Sequence, residues 1–498
     1  MYKLNRILLI ALFLFKQAFS FAQNCNCSIS QVENNTVAPC ALLIGKVDTV
    51  TNAIGLRNAI IQANADKGNH TILIADGTYQ IASTSWFPYI TGSNIVFRSL
   101  SGKRDAVILT GEGMKNVSPK VESGFYIVGN NVTIADLTIK EVGNHGIACE
   151  GDSLFVHNVK IQNTFEQMIK GTGAGDGADQ GRVQCSLFEY PAGVGPQFYI
   201  GGLDIHKGND WLVNDNVFKN IASPSGSLAE HAVHFWKGSA NNIVERNIMV
   251  NCDRGIGFGL GSSRSDSGII RNNMIFNDGE GLFHDVGISL ETSPSTKVYN
   301  NTIFIEYRNA IEYRFPATTD VIISNNLTNK PINSRDGGKA ELSTNITNAK
   351  STWFQDPSIG NLRLISENTE VVDKGVSLAE VVDDIDQIAR PQGTKHDIGA
   401  HEFEQGVGIN RQGLISKYFQ VFPNPAKSKL VIKSRTNSNF NAEMSNFLNQ
   451  KIASFKKEST TSELVIDVGR WQAGIYVLRI TSQDSTSESH RIIVSKRD

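Results

Sequence analysis

Two stretches of the chain concentrate side chains that can move protons or hold charge. LDIHKGND (203–210) and EHAVHFWKGS (230–239) each carry an alternating segment into a Lys-Gly turn. They supply Asp204, His206, Lys207, Glu230, His231, His234, Trp236 and Lys237, and Arg254 follows in DRGIGFG (253–259). A histidine serves as a base near neutral pH without much adjustment. A lysine does so once neighbouring cations or burial favour its free amine. Cations beside a carboxylate acidify the C–H next to it. The set therefore suits proton abstraction beside a carboxylate, with Lys237 or His234 as base. Arg254 and Lys207 would neutralise the carboxylate, Asp204 would orient His234, and His206 stands in reserve.

These residues need a frame that stacks one stretch on the other. The frame is a repeat in which a short alternating strand leads to Asn, or a stand-in, plus apolar residues. Its markers are Asp136, Asn158, Cys185, Asn216, Asn247, Asn273, Asn301 and Asn326, spaced 22 to 31 apart. A period in the twenties signals a solenoid. Stacked Asn side chains hydrogen-bond along such a stack and tolerate left-handed turns. A β-sandwich would leave the recurring Asn unexplained. Aligned strands give two apolar inward columns, one of Leu203, Val233, Ile256, Ile288 and Ile311, the other of Ile205, Phe235, Phe258, Leu290 and Tyr313.

The outward columns are Asp204, His234, Gly257, Ser289, Glu312 and His206, Trp236, Gly259, Glu291, Arg314, with Lys170 joining the first one layer earlier. Layers lie about 4.8 Å apart. Lys207 over Lys237 is then a like-charge pair that an anion would relieve. Gly257 and Gly259 would leave a flat floor beside Trp236 for a sugar ring. Trp236, His231, Lys170, Glu291, Glu312 and Arg314 are the candidate substrate contacts. The competing reading of each is an ordinary solvated face or a surface ion pair.

Net charge is −2 over 498 residues, which gives no global field for nucleic acid or an anionic membrane. Residues 1–22 have a basic start, a short apolar run and a small-residue cleavage site, as a signal peptide does. No later run is long enough to span a bilayer. Among six cysteines, Cys25, Cys27 and Cys40 allow one local bridge, and Cys149, Cys185 and Cys252 read as small buried residues. Gly55–Ala65 has helical periodicity, with strands at 72–74 and 79–81 around Asp76-Gly77. The Gly-rich loop 171–181 lacks the ending of a phosphate loop. Its Asp176 and Asp179 are a weak Ca²⁺ candidate, and a loop over the groove edge is the plainer reading.

The helix, strand, Asp-Gly, strand order and the coils after it resemble the pectin-lyase-like superfamily of right-handed parallel β-helices. The resemblance implies an all-β solenoid with a helical N-terminal cap, acting on acidic polysaccharide. Residues 333–404, with DKGV (373–376), Arg390-Pro391 and HDIGAHEFE (396–404), resemble the ending of many bacterial β-helices. FPNPA (422–426), GIYVLRI (474–480) and a short basic end resemble the type A C-terminal sorting domain of the type IX secretion system of Bacteroidetes. The expected organisation is a signal peptide (1–22), an N-terminal segment (23–49), β-helix (50–332), cap (333–404), linker (405–417) and a small β-sandwich (418–498).

The expected function is a secreted polysaccharide lyase on a uronate polymer, exported through the type IX machinery and acting as a monomer. Glu230 and Lys237, seven apart, resemble the calcium-ligand Glu and base Lys of the chondroitinase B and alginate lyase group. Ala232 and Phe258-Gly259-Leu260 depart from that group's pattern. No cofactor is required, and Ca²⁺ on Glu230 is the candidate. The alternatives are a polygalacturonase-type hydrolase, using Asp204 with Asp253 or Glu291 with Glu312, and a non-catalytic glycan-binding adhesin.

Overall fold

The structure is a computed structural model. It describes residues 25–403 and 419–494 apart from 82–88, 116–121, 173–174, 176, 367, 423–425, 435–438, 447–450, 458–462, 473 and 483–486. The expected signal peptide and linker lie outside the described residues. The chain divides into two units, 1–403 and 404–498.

The first unit is a coil of short parallel strands forming three sheets of 12, 10 and 9 strands. The first sheet runs from Lys46–Val50 to Ala340–Ser343, and the third from Phe125–Ile127 to Ile332–Arg335. The ladder thus starts before residue 50 and continues past 332. The strands around Asp76-Gly77 are already coils, with Gly68–Ile74 in the first sheet and Gly77–Gln80 in the second. The helix Ala53–Ala65 is capped by the Asn52 side chain accepting from the Gly55 N–H. It turns Ala53, Leu56, Ile60 and Ala63 onto the first coils and buries them.

Alternation fills the coil with one apolar core, because every second side chain faces inward. The two inward columns stack in the expected register, Leu203–Val233–Ile256–Ile288–Ile311 and Ile205–Phe235–Phe258–Leu290–Tyr313. The asparagine ladder is real but one residue out in its early coils. Strand pairing aligns Asn158 and Cys185 with Asp215, so Ser186 is the partner of Asn216. Asp136, Asn158 and Cys185 occupy the left-handed position that Asp215 and Arg246 occupy later, with φ between 51° and 58°. The ladder proper runs Asn216, Asn247, Asn273, Asn301, Asn326 and Asn345, each amide donating to the next Oδ1 at 2.9–3.0 Å. Ser186 Oγ extends it by accepting from the Val159 N–H at 3.1 Å.

Two expectations are corrected. Cys185 is not a free buried thiol, because it is bridged to Cys27, while Cys25 pairs with Cys40 and Cys149 and Cys252 remain free and buried. Residues 333–404 do not simply end the stack. They return along the outer side of the second sheet, where Leu362, Leu364, Val371 and Ile385 share a core with Ile29, Val32, Val217 and Ile248.

The second unit has a three-stranded antiparallel sheet (Phe419–Phe422, Lys429–Ser434, Glu463–Asp467) and a four-stranded one (Lys451–Lys457, Phe440–Asn446, Gly474–Ser482, Ser487–Val494). Leu430, Ile432, Met444 and Leu478 lie in the core between them.

Candidate functional site

The third sheet brings the polar residues together. Asp204 pairs with His234 and His206 with Trp236 in adjacent strands, and Lys170 pairs with Asp204 one layer earlier. Each polar letter alternates with an inward apolar one, so the strand geometry alone puts them on one outer face.

That face is buried rather than solvated. Asp204, His206, His231, His234 and Lys170 are all between 0% and 8% exposed. Asp204 is the hub. It accepts from Lys170 Nζ and, at 2.6 Å, from Trp236 Nε1. Burial disfavours its charge, but His206, Lys170 and His234 together hold it well below the usual carboxylate range. Asp204 does not orient His234 as expected, since the nearest approach is 3.8 Å. His234 Nε2 instead meets the Gly259 carbonyl at 3.1 Å.

His206 lies between two lysines, with Nε2 at 3.1 Å from Lys170 Nζ and Nδ1 at 3.4 Å from Lys237 Nζ. Lys237 is exposed and sits over the Trp236 ring, 4.5 Å from its centroid. The like-charge stack of Lys207 on Lys237 does not form. Lys207 Nζ turns to the Gly175 carbonyl at 3.0 Å, in the loop that follows strand Ile169–Gly171 one coil earlier. Trp236 is no free platform either, because its ring stacks on His234 with centroids 5.4 Å apart.

Gly257 carries no sugar floor. The His231 ring fills its place, and a Cβ on Gly257 would lie 2.7 Å from Cε1 and Nε2 of that ring. His231 Nε2 pairs with Ser289 Oγ at 3.0 Å. Burial first, then the charge of Arg254, holds the His231 imidazole far below its ordinary range and so neutral. Arg254 donates to the Ala229 carbonyl at 2.9 Å and approaches Glu230 Oε2 at 3.6 Å.

The carboxylates considered for hydrolysis have other partners. Asp253 accepts the backbone N–H groups of Ser223 and Ala229 at 3.0 and 2.8 Å. Glu291 is held by Arg314 and the Gly261 N–H, both at 2.7 Å, and Arg314 also binds Asp336. Glu312, expected outside, is buried and held by Asn309 and Arg335, both at 2.6 Å. Asp179 accepts from the Asn209 N–H at 2.8 Å, and Asp176 lies outside the described residues. Ser289 and the Gly259 carbonyl hold the two imidazoles; both residues lie in the outward columns, but their spacing gives no sign of this role.

Calcium does not fit the Glu230 neighbourhood. Ca²⁺ takes six to eight oxygens, and the groups gathered with Glu230 are the imidazoles of His231 and His234.

This coil and its site define a right-handed parallel β-helix. Residues 197–348 match the family model described as Periplasmic copper-binding protein (NosD), a right-handed β-helix family. Residues 420–495 match the Secretion system C-terminal sorting domain. The chain thus carries a type IX sorting domain, which directs it to the cell surface or the extracellular space. Among the described residues no helix is long and apolar enough to cross a membrane.

No curated protein matches the chain in sequence. Similar solved structures include an alginate lyase from Paenibacillus sp. str. FPU-7, at 15% identity and TM-score 0.40, covering 61% of this chain and 99% of that one. PfbA, a surface adhesin of Streptococcus pneumoniae, stands at 11% and 0.37, covering 59% and 86%. A tailspike protein of E. coli bacteriophage HK620 in complex with a hexasaccharide stands at 11% and 0.40, covering 88% of each chain. Likeness at this level identifies no activity.

Proposed function

We propose that the protein is a carbohydrate-active β-helix that cleaves a uronate-containing polysaccharide by β-elimination, with Lys237 as the base. The observation that carries this reading is the chain Asp204, Lys170, His206, Lys237. The Asp204 carboxylate pairs with the Lys170 ammonium, which faces His206 Nε2. An imidazole that accepts at Nε2 carries its proton on Nδ1. That N–H points at Lys237 Nζ, which accepts only as the free amine. The chain thus ends on the exposed Lys237 amine, within reach of a polymer.

In the reaction the Lys237 amine takes the C5 proton of the uronate. The C–H electrons form the C4–C5 double bond, the C4–O bond breaks, and the Lys237 ammonium returns the proton to the leaving oxygen. Lys207 is the cation available to the substrate carboxylate, since Arg254 is held by Ala229 and Glu230. His234, at 0% exposure, is too buried to reach a polymer, as are His231 and Lys170.

A panel of alginate, pectate, ulvan and glycosaminoglycans tests this. Ultraviolet absorbance of the unsaturated uronate should appear with one substrate and fall at least 100-fold in Lys237→Ala. New reducing ends without that absorbance would mean hydrolysis. A second reading, glycan binding without cleavage, is favoured by the extent to which the site's acids and bases pair with one another. It predicts saturable binding, unchanged polymer and loss of affinity in Lys237→Ala.

A further inference from the structure

The coil holds a second device that the proposed elimination does not use. Glu230, His231 and His234 each present one ligand atom, and the three atoms lie within 4.8 Å of one another. Glu230 Oε2, His231 Nδ1 and His234 Nδ1 are each buried without a hydrogen bond. Oε2 stands 3.9 Å from His231 Nδ1 and 3.5 Å from His234 Nδ1.

The far side of each ring is fixed. The Gly259 carbonyl can only accept, so His234 Nε2 carries the proton and Nδ1 keeps its lone pair. Ser289 Oγ meets His231 Nε2 at 3.0 Å and can accept its N–H, the arrangement that leaves the Nδ1 lone pair free. Both imidazoles are nine-tenths or more buried. With Nε2 of each ring protonated, two nitrogen lone pairs and a carboxylate oxygen converge, and the Arg254 guanidinium approaches that oxygen only to 3.6 Å. A hydrogen bond to a carbonyl or hydroxyl behind each ring is the usual support of a metal-bound histidine. Gly257 keeps the place open, since any larger residue would strike the His231 ring.

We propose that Glu230, His231 and His234 form a binding site for a divalent transition metal ion of the zinc class. Ligands bound at about 2.0–2.1 Å in tetrahedral directions lie about 3.3 Å apart, so Glu230 Oε2 must close on the two nitrogens from 3.5 and 3.9 Å, and the nitrogens on each other from at most 4.8 Å. Imidazole nitrogen favours zinc-class ions over calcium. Arg254 lies beside the same Glu230 oxygen, and the Glu230 carboxylate offsets part of the added charge.

The site stands independently of the elimination chemistry, and its test needs no substrate. The full chain, freed of metal by a chelator, is titrated with Zn²⁺ and with Co²⁺, and thermal midpoints are recorded. The expected result is one equivalent bound, a rise in the midpoint, and the visible absorption of tetrahedral Co²⁺. Glu230→Gln, at a partly exposed position, should weaken binding at least 10-fold, and His231→Asn should abolish the cobalt spectrum. His401→Gln, in a separate Asp384, Asp386 and His401 cluster, should leave it intact. No binding by the wild-type chain overturns the proposal, as does binding that survives in both site variants or Ca²⁺ displacing Co²⁺ at equal concentration. A wild-type chain that binds metal yet cleaves no polymer would sink only the elimination.

Discussion

Gly257→Ala separates the geometry of this site from a general loss of fold. The Gly257 backbone lies outside the left-handed region, so a methyl group brings no conformational strain of its own. Its cost comes from one neighbour. The new Cβ would sit 2.7 Å from His231 Cε1 and Nε2, against an ordinary contact of at least 3.4 Å. The ring must retreat by about 0.7 Å, which strains or breaks its bond to Ser289. Overpacking of this kind costs about 1–3 kcal/mol, and the hydrogen bond adds about 1 kcal/mol. With His231→Ala in place the clash disappears. The same methyl group should then be neutral or stabilising by up to about 1 kcal/mol, through the unfolded chain. A double-mutant cycle read by urea unfolding should therefore show coupling of about 2–4 kcal/mol. Equal destabilisation by Gly257→Ala with and without His231 would refute the packing described here.

Two further outcomes follow from the fold. Asn273→Ala should cost about 3–5 kcal/mol, because it deprives the buried Asn247 N–H of its acceptor and removes the amide's bonds to Val244, Arg271 and Asn301. Asn273→Ser should cost less, as Ser186 already fills a ladder position, and equal unfolding midpoints for the two would contradict the ladder's role. Burial, then the charges of Arg98 and Arg182, holds His157 at about 4, below its ordinary 6.5. The folded state keeps it neutral while the unfolded chain takes up a proton, so this stability is complete above pH 6.5 and is lost as pH falls toward 4. The full shift corresponds to about 3 kcal/mol. The stability difference between wild type and His157→Gln, measured by urea unfolding, should change by that order between pH 7 and 4, and a constant difference would count against it.

The register of the third sheet was legible because parallel coils repeat one alternation, so Leu203, Val233 and Ile256 identify one another. The ladder was misplaced in its early coils because Asn158 and Cys185 imitate the pattern one residue too soon. Only backbone pairing distinguishes them from Val159 and Ser186. The outward column was legible in membership and not in burial. His231 reaches across Gly257 from outside the alternating segment, and no spacing rule reports a ring lying over a neighbouring strand. Lys207 and Lys237 were read as stacked, yet each turns to a partner in a different part of the chain. The return of residues 333–404 rests on contacts such as Arg246 with Asp383 and Asn300 with the Asp397 carbonyl. These span about a hundred residues without a period, so nothing local announces them.

The Cys27–Cys185 bridge has a consequence for how the coil comes apart. A stack whose layers touch only their neighbours frays from either end independently. Here the first described segment is fastened to the middle of the stack, and Gln387 of the returning chain donates to the Cys27 carbonyl at 2.6 Å. The two ends of the unit are clasped against each other across the same flank. Peeling the last coils then means releasing the segment that guards the first ones. A one-dimensional array has in effect been closed into a loop of mutual dependence, and it should melt as one body where an open solenoid would unravel coil by coil.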